Sequence, residues 1–178
     1  MKKIVLFLFF ITHNFLAQAQ MKTTTGILNF EASVPLYEEV TATNKAVYCA
    51  IDIKKGMVTT EVKMKEFRFK LSLMEEHFNR KYLETDRYPM SSFKGTIEGF
   101  NINIIGNSPK EFTIKGEVKI HGKTKKIITK AFLKKVENGL EIVSNFKFKT
   151  KDFNVQIPEI LSMKVAETVS VHFNFFVQ

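Results

Sequence analysis

Tryptophan is absent from this 178-residue chain, cysteine occurs once, and arginine is confined to Arg68, Arg80 and Arg87. The lone cysteine, Cys49, excludes an internal disulfide, so an exported form has to be held together by its core. The histidines are His13, His77, His121 and His172, and no two of them sit at metal-ligand spacing. There is no G-x-S-x-G, no glycine-rich phosphate loop and no Ser/His/Asp or Cys/His arrangement. The adjacent carboxylates Glu75 and Glu76 would diverge by about 100° on a helix, so they do not form an acid/base pair. These absences point away from an enzyme; no catalytic residue, metal ligand or cofactor is expected. Long apolar runs are missing too, since the longest, Ile4–Ile11, is 8 residues against the roughly 20 that span a bilayer core.

That short run has its own reading. Lys2 and Lys3 precede it and Ala17-Gln18-Ala19 follows it, the order of a secretory signal peptide. The expectation is a leader over residues 1–19, removed on export, and one domain over residues 20–178 in the periplasm or outside the cell, with no stable membrane span after cleavage. The formal charge of +9 invites a nucleic-acid reading. The lysines argue against it, because pairs such as Lys63 and Lys65, Lys115 and Lys119, or Lys147 and Lys149 are spaced along strands as solvated faces rather than gathered into a stripe. No nucleic-acid partner is expected, and homodimer formation is left open.

Period-two alternation dominates the rest. Thr25–Ser33 reads as a first strand and Pro35–Asn44 as a loop. Ala46–Ile53 places Val47, Cys49 and Ile51 on one side, and Met57–Phe69 follows as its hairpin partner. Ser92–Ile105 reads as one long strand with Gly95 and Gly99 as bends. Glu111–His121 alternates most cleanly, with Phe112, Ile114, Val118 and Ile120 inward and His121 outward; His172 also reads as outward. Glu137-Asn138-Gly139 predicts a hairpin with a type I′ turn at Asn-Gly between Lys126–Lys135 and Leu140–Lys149. Glu159–Val165 allows a short helix, and Thr168–Val177 closes the chain as a strand. The count is eight antiparallel strands, which suits a closed barrel, although a two-sheet sandwich has the same periodicity.

The interruption in this series organises it. Within Leu71–Leu83, Leu71, Met74, Phe78 and Tyr82 recur at three- and four-residue steps, predicting an amphipathic helix that ends before Tyr88-Pro89. In a closed barrel its apolar stripe has only the rim to cover.

MEEHFNRKYLETDRYPMSSFKG, from Met74 to Gly95, resembles the signature of the YceI-like family, a helix followed by Tyr-Pro and an F-K-G strand. GEVKIHGKTKKIIT, Gly116–Thr129, and KTKDFNVQIP, Lys149–Pro158, resemble two further segments of that family, so that the likeness runs from about Thr25 to Gln178. The resemblance implies a lipocalin-like antiparallel barrel, all-β with one or two short helices, holding a long lipid, typically a polyisoprenoid. From the residues alone, a hollow barrel and one filled by phenylalanine stand equal. The large inward residues are Phe93, Phe112, Phe146, Phe148, Phe173 and Phe175, and the small ones beside them, Gly116, Thr129, Ala131 and Ser144, would leave a channel. With Met74, Phe78, Ile114, Val118, Ile142 and Val171 these make the expected ligand-binding lining. If the channel runs past Gly116, Gly116→Phe blocks it and leaves the barrel folded. The functional expectation is an exported protein that binds one lipid or isoprenoid for transport or storage; the alternative is a ligand-free interaction or structural barrel.

Overall fold

The computed structural model describes residues 20–161 and 163–178; the expected leader, residues 1–19, lies outside them. Among the described residues the strands are β1 (Gln20–Ser33), β2 (Thr41–Asp52), β3 (Met57–Lys63), β4 (Arg68–Phe69), β5 (Met90–Ile97), β6 (Lys110–Ile120), β7 (Lys123–Val136), β8 (Gly139–Lys149) and β9 (Val165–Val177). Hydrogen-bonded neighbours run β1-β9-β8-β7-β6-β5-β3-β2, and β1 pairs with β2. Eight antiparallel strands therefore close into a barrel, and the sandwich alternative falls. Two-residue β4 is a spur, paired with β2 at Ala42 and Thr43. Closure turns on β1, whose register against β2 shifts on either side of Gly26; such irregularities bend a strand so that it can serve two neighbours. No helix among the described residues is long and apolar enough to cross a membrane.

The inward faces follow the alternation, but they do different work at the two ends. Near the turn after β2, Val47, Cys49, Ile51, Ile97, Ala131, Leu133, Leu140 and Val177 have 0–2% of their surface exposed and form a solid plug. Burial pushes the Cys49 thiol up to about 12, so it behaves as a small apolar side chain. At the other end lie the long connections: residues 34–40, the span 64–89 that contains the helix, the tight turn at His121 and Gly122, and residues 150–164.

Several expected boundaries move. Met57–Phe69 is not one strand. Its ladder with β5 reaches Lys63 opposite Met90, and the next partner is Pro89, which has no N–H to give; Met64 N–H donates to the Pro89 carbonyl (2.9 Å) and the chain folds into a 3₁₀ turn, Met64–Glu66. Ser92–Ile105 likewise stops at Ile97. Gly99 adopts φ +64°, the Asn101 side chain accepts from Asn103 N–H (2.9 Å), and Ile102–Ile104 form a 3₁₀ turn. The expected loop 35–44 is shorter, because β2 already begins at Thr41, and the expected helix 159–165 is a single 3₁₀ turn, Glu159–Leu161. The β7–β8 hairpin turns on Glu137-Asn138, with Glu137 at φ +31°. Gly139 is already in the strand, where a Cβ would collide with the Val177 carbonyl; close approach, and not a type I′ turn, explains that glycine.

The organising helix is present as α1, Ser72–His77, continued by a wider π turn, Phe78–Tyr82. The π turn shifts the face presented to the barrel: Phe78 and Leu83 are buried, Met74 and Tyr82 half-buried, and Leu71, at 41%, stays in water.

Candidate functional site

Above the plug the barrel is hollow. A cavity of about 570 Å³ opens between the helix, the β1–β2 connection and the β8–β9 connection. Its floor is Ile114, Ile142 and Phe175, each exposed by 2% or less. Its upper wall is an aromatic cluster in which Phe78 stands with ring centroids 5.5, 5.6 and 5.1 Å from Phe30, Phe67 and Phe69. Phe173 and Phe175 stack on the far wall at 4.6 Å.

Of the residues expected from the sequence, Met74 and Phe78 reach the cavity from the helix, Phe93 from β5, Ile114 and Val118 from β6, and Thr129 from β7. Ile142, Phe146 and Phe148 reach it from β8, and Val171, Phe173 and Phe175 from β9. Phe112, Gly116, Ala131 and Ser144 are not part of its lining. Phe112 and Ala131 are a cross-strand pair within the plug. The Ser144 hydroxyl donates to the Lys130 carbonyl on β7 (2.6 Å), so it is spent in the wall.

Gly116 overturns the idea of bulk omitted to leave a channel. It sits directly opposite Gly95, and a Cβ on it would meet the Lys94 carbonyl oxygen at 2.5 Å, Gly95 Cα at 2.6 Å and Phe93 Cζ at 2.6 Å. The two glycines let β5 and β6 approach closely, and the Phe93 ring fills the space above them. Gly116→Phe would part the strands rather than plug a folded barrel.

The alternation of β3 brings in Val58, Thr60 and Val62, and the residues beyond its end add Phe67 and Phe69. These were readable as one apolar face, but only closure shows that this face and the helix share a cavity. Polar groups in the walls are few. Ser91 Oγ donates to Met64 S (3.0 Å), and among the described residues no buried side-chain nitrogen or oxygen lacks a partner. The cavity therefore offers mainly methyl groups, methylenes and ring edges, with few polar groups to orient a ligand.

The helix is fixed at both ends. Phe69 N–H donates to Glu75 Oε2 (3.2 Å) at its start, and beyond its end Thr85, 1% exposed, donates its backbone N–H to Asn79 O (2.8 Å) and its hydroxyl to Asn79 Oδ1 (3.0 Å). His121 supplies the third fastening, and it is no outward strand residue. At φ +49° it turns the chain, its side chain is 10% exposed, Nε2 lies 2.9 Å from Glu84 Oε2, and Nδ1 lies 3.1 Å from the Phe153 carbonyl. The Tyr88 ring meets the imidazole edge-on at 4.5 Å. His121 thus ties the turn after the helix to the β8–β9 connection, the two segments that frame the opening. Alternation could not reveal it, because a residue that leaves the strand leaves its periodicity.

No curated protein matches the chain. Among solved structures, it is similar to a polyisoprenoid binding domain from Saccharophagus degradans implicated in plant cell wall breakdown, with 14% identity, 90% of this chain and 98% of that one covered, and a TM-score of 0.79. It is similar also to Burkholderia cenocepacia BcnA, with 17% identity, coverages of 85% and 96%, and a TM-score of 0.68. A third is the Campylobacter jejuni YCEI protein, with 14% identity, coverages of 74% and 78%, and a TM-score of 0.57. At such identities the likeness speaks for the fold. The family follows from the sequence itself: the model of the YceI-like domain matches residues 10–177, nearly the whole chain, which belongs to the YceI-like family.

Proposed function

We propose that this barrel holds one long apolar molecule, an isoprenoid or related lipid, for transport or storage, and carries out no covalent chemistry on it. The observation that carries the reading is the cavity: about 570 Å³, within the usual range of ligand sites, roughly 300–1,000 Å³, and walled mostly by apolar side chains. Removing a flexible chain from water yields about 0.8 kcal/mol per buried methylene before ordering costs. A binding domain for a polyisoprenoid among the similar structures supports the same class of ligand. The proposed setting is outside the cytoplasm, after removal of residues 1–19.

Protein purified from its own envelope, extracted with organic solvent and analysed by mass spectrometry, should release a long prenol or acyl lipid in near-stoichiometric amount. Recovery of no lipid, together with failure to take up an added polyprenol, refutes the reading. A bound polyprenol returned with altered mass refutes the absence of chemistry. Intact-mass measurement should give a chain beginning at Gln20; a species that retains Met1 refutes the processing.

A further inference from the structure

Beyond the strands, where Ile27, Met90, Ile128, Phe132 and Phe176 are exposed singly along the wall, exposed apolar side chains are not shared evenly between the two ends of this barrel. Leu36 (103%), Tyr37 (42%), Leu71 (41%), Leu73 (60%), Ile160 (85%) and Met163 (67%) all stand on the three connections that frame the cavity opening. Among the described residues, the connections at the plugged end expose one large apolar side chain, Ile104. Single exposed hydrophobic residues are ordinary; a set gathered from three separate segments around one opening is not. Leu36 is the sharpest case. It holds φ +71°, in the left-handed region that leucine avoids, with its side chain wholly in water, so it is unfavourable in both backbone and solvation.

We propose that this rim seats on the surface of a lipid bilayer, so that an apolar chain passes between membrane and cavity without crossing water. The proposal rests on the reading of the cavity as a lipid site. Two features favour a bilayer over other occupants. Tyr37, Leu71 and Leu73 belong both to the cavity lining and to the exposed rim, so the apolar wall continues from the interior to the outside, beside Glu38, His77 and Lys164, which also line it. The rim is also electrically even: residues 34–40, 70–82 and 151–164 carry acidic and basic side chains in near-equal number, whereas the chain as a whole is at +9. An even, apolar rim with a tyrosine at its edge fits the interface of a neutral membrane, where amphipathic rings and short apolar side chains both find their preferred depth.

Cys49 is buried with its thiol pushed up to about 12, so a cysteine introduced on the surface takes an environment-sensitive fluorophore alone. Full chains carrying the label at Ile160→Cys, on the rim, or Lys54→Cys, at the plugged end, are mixed with phosphatidylcholine vesicles, on which net charge has no hold. The rim label should shift to the blue and the label at 54 should not. Position 54 lies two residues from Asp52, which pairs with Gln20, so binding through residues before Gln20 would shift that label instead and overturn the proposal. Leu36→Asp with Leu73→Asp should weaken vesicle flotation by about 100-fold, roughly tenfold for each leucine removed from the interface; unchanged flotation overturns it as well. A second copy as the occupant would shift the rim label with rising protein concentration and no vesicles, which also overturns it. Uptake of a polyene fatty acid from cyclodextrin reports the cavity without a membrane. Uptake without docking overturns the present proposal and leaves the lipid reading standing; docking without uptake keeps the seating of the rim but refutes that reading and, with it, the passage of a chain from membrane to cavity.

Discussion

Gly116→Ala adds one methyl group to the barrel wall, and the structure says what that methyl meets. The nearest atoms would be the Lys94 carbonyl oxygen at 2.5 Å and Gly95 Cα at 2.6 Å, both backbone of the facing strand, and Phe93 Cζ at 2.6 Å. Ordinary van der Waals contact begins near 3.4 Å, so relief needs close to 1 Å of movement, shared between separation of β5 from β6 and displacement of the Phe93 ring towards the cavity. Overpacking of this kind typically costs about 1–3 kcal/mol. For a domain of this size each kcal/mol lowers Tm by roughly 2–4 °C. Urea and thermal unfolding of Gly116→Ala should both register the loss. Phe93→Leu combined with Gly116→Ala should recover only part of it, because the Lys94 carbonyl remains in the way. A Gly116→Ala protein within about 0.5 kcal/mol of the parent, the range of inert surface changes, would refute the close-approach account. Complete rescue by Phe93→Leu would show that the ring alone, and not the backbone, defines the site.

Three more outcomes are expected. Phe78→Ala should cost less than the roughly 3–5 kcal/mol of a sealed-core Phe→Ala, since it enlarges an existing cavity, yet speed release of a fluorescent polyene; an unchanged off-rate with global unfolding would make the helix a structural plug. The hydrogen bond from Lys134 and a second from Asn174 hold the Glu141 carboxyl below its ordinary 4.5 against a partial burial that pushes the other way, so the stabilisation is present above that value and is lost as pH falls through the lower folded one; Glu141→Gln should flatten the acid limb of a urea-midpoint profile, and an identical limb counts against the linkage. His121→Ala should leave Glu84 and the Phe153 carbonyl without their shared partner, and hydrogen exchange should rise at residues 84–88 and 150–155; protection unchanged there would mean that other contacts hold the two segments.

The barrel was legible because one dry and one wet face force a period of two on every strand, and β6 shows it without exception from Phe112 to Val118. Boundaries failed where backbone chemistry overrode side-chain pattern: Met64 keeps the inward rhythm after Val62, but Pro89 ends the ladder beside it. The hollow was not legible. Inward alternation reads the same for a solid core and a lined cavity, and Gly116 invited the wrong inference, since the room left by a missing side chain had already been taken by Phe93, 23 residues earlier in the chain and across the strand pair.

Within the segments that make the family recognisable, Tyr88-Pro89 and His121-Gly122 stand apart from the lining, although Met74, Phe78, Phe93 and Val118 of the same segments belong to it. Tyr88-Pro89 and His121-Gly122 meet outside the cavity, where the Tyr88 ring packs on the imidazole and the ring nitrogens reach Glu84 and Phe153. Their work is to close the barrel wall and to hold the helix and the β8–β9 connection at a fixed distance, a task that needs particular residues in particular geometry. The lining has a looser demand. Val58, Val62, Ile142 or Val171 could each be another aliphatic side chain and still keep water out. A sequence therefore announces this fold through its fastenings and says little about the length or branching of what the cavity holds. Differences in ligand between members of the family should lie in the volume left between Phe30, Phe78, Phe93 and Phe173, where one ring more or less changes the space, while the fastenings stay the same.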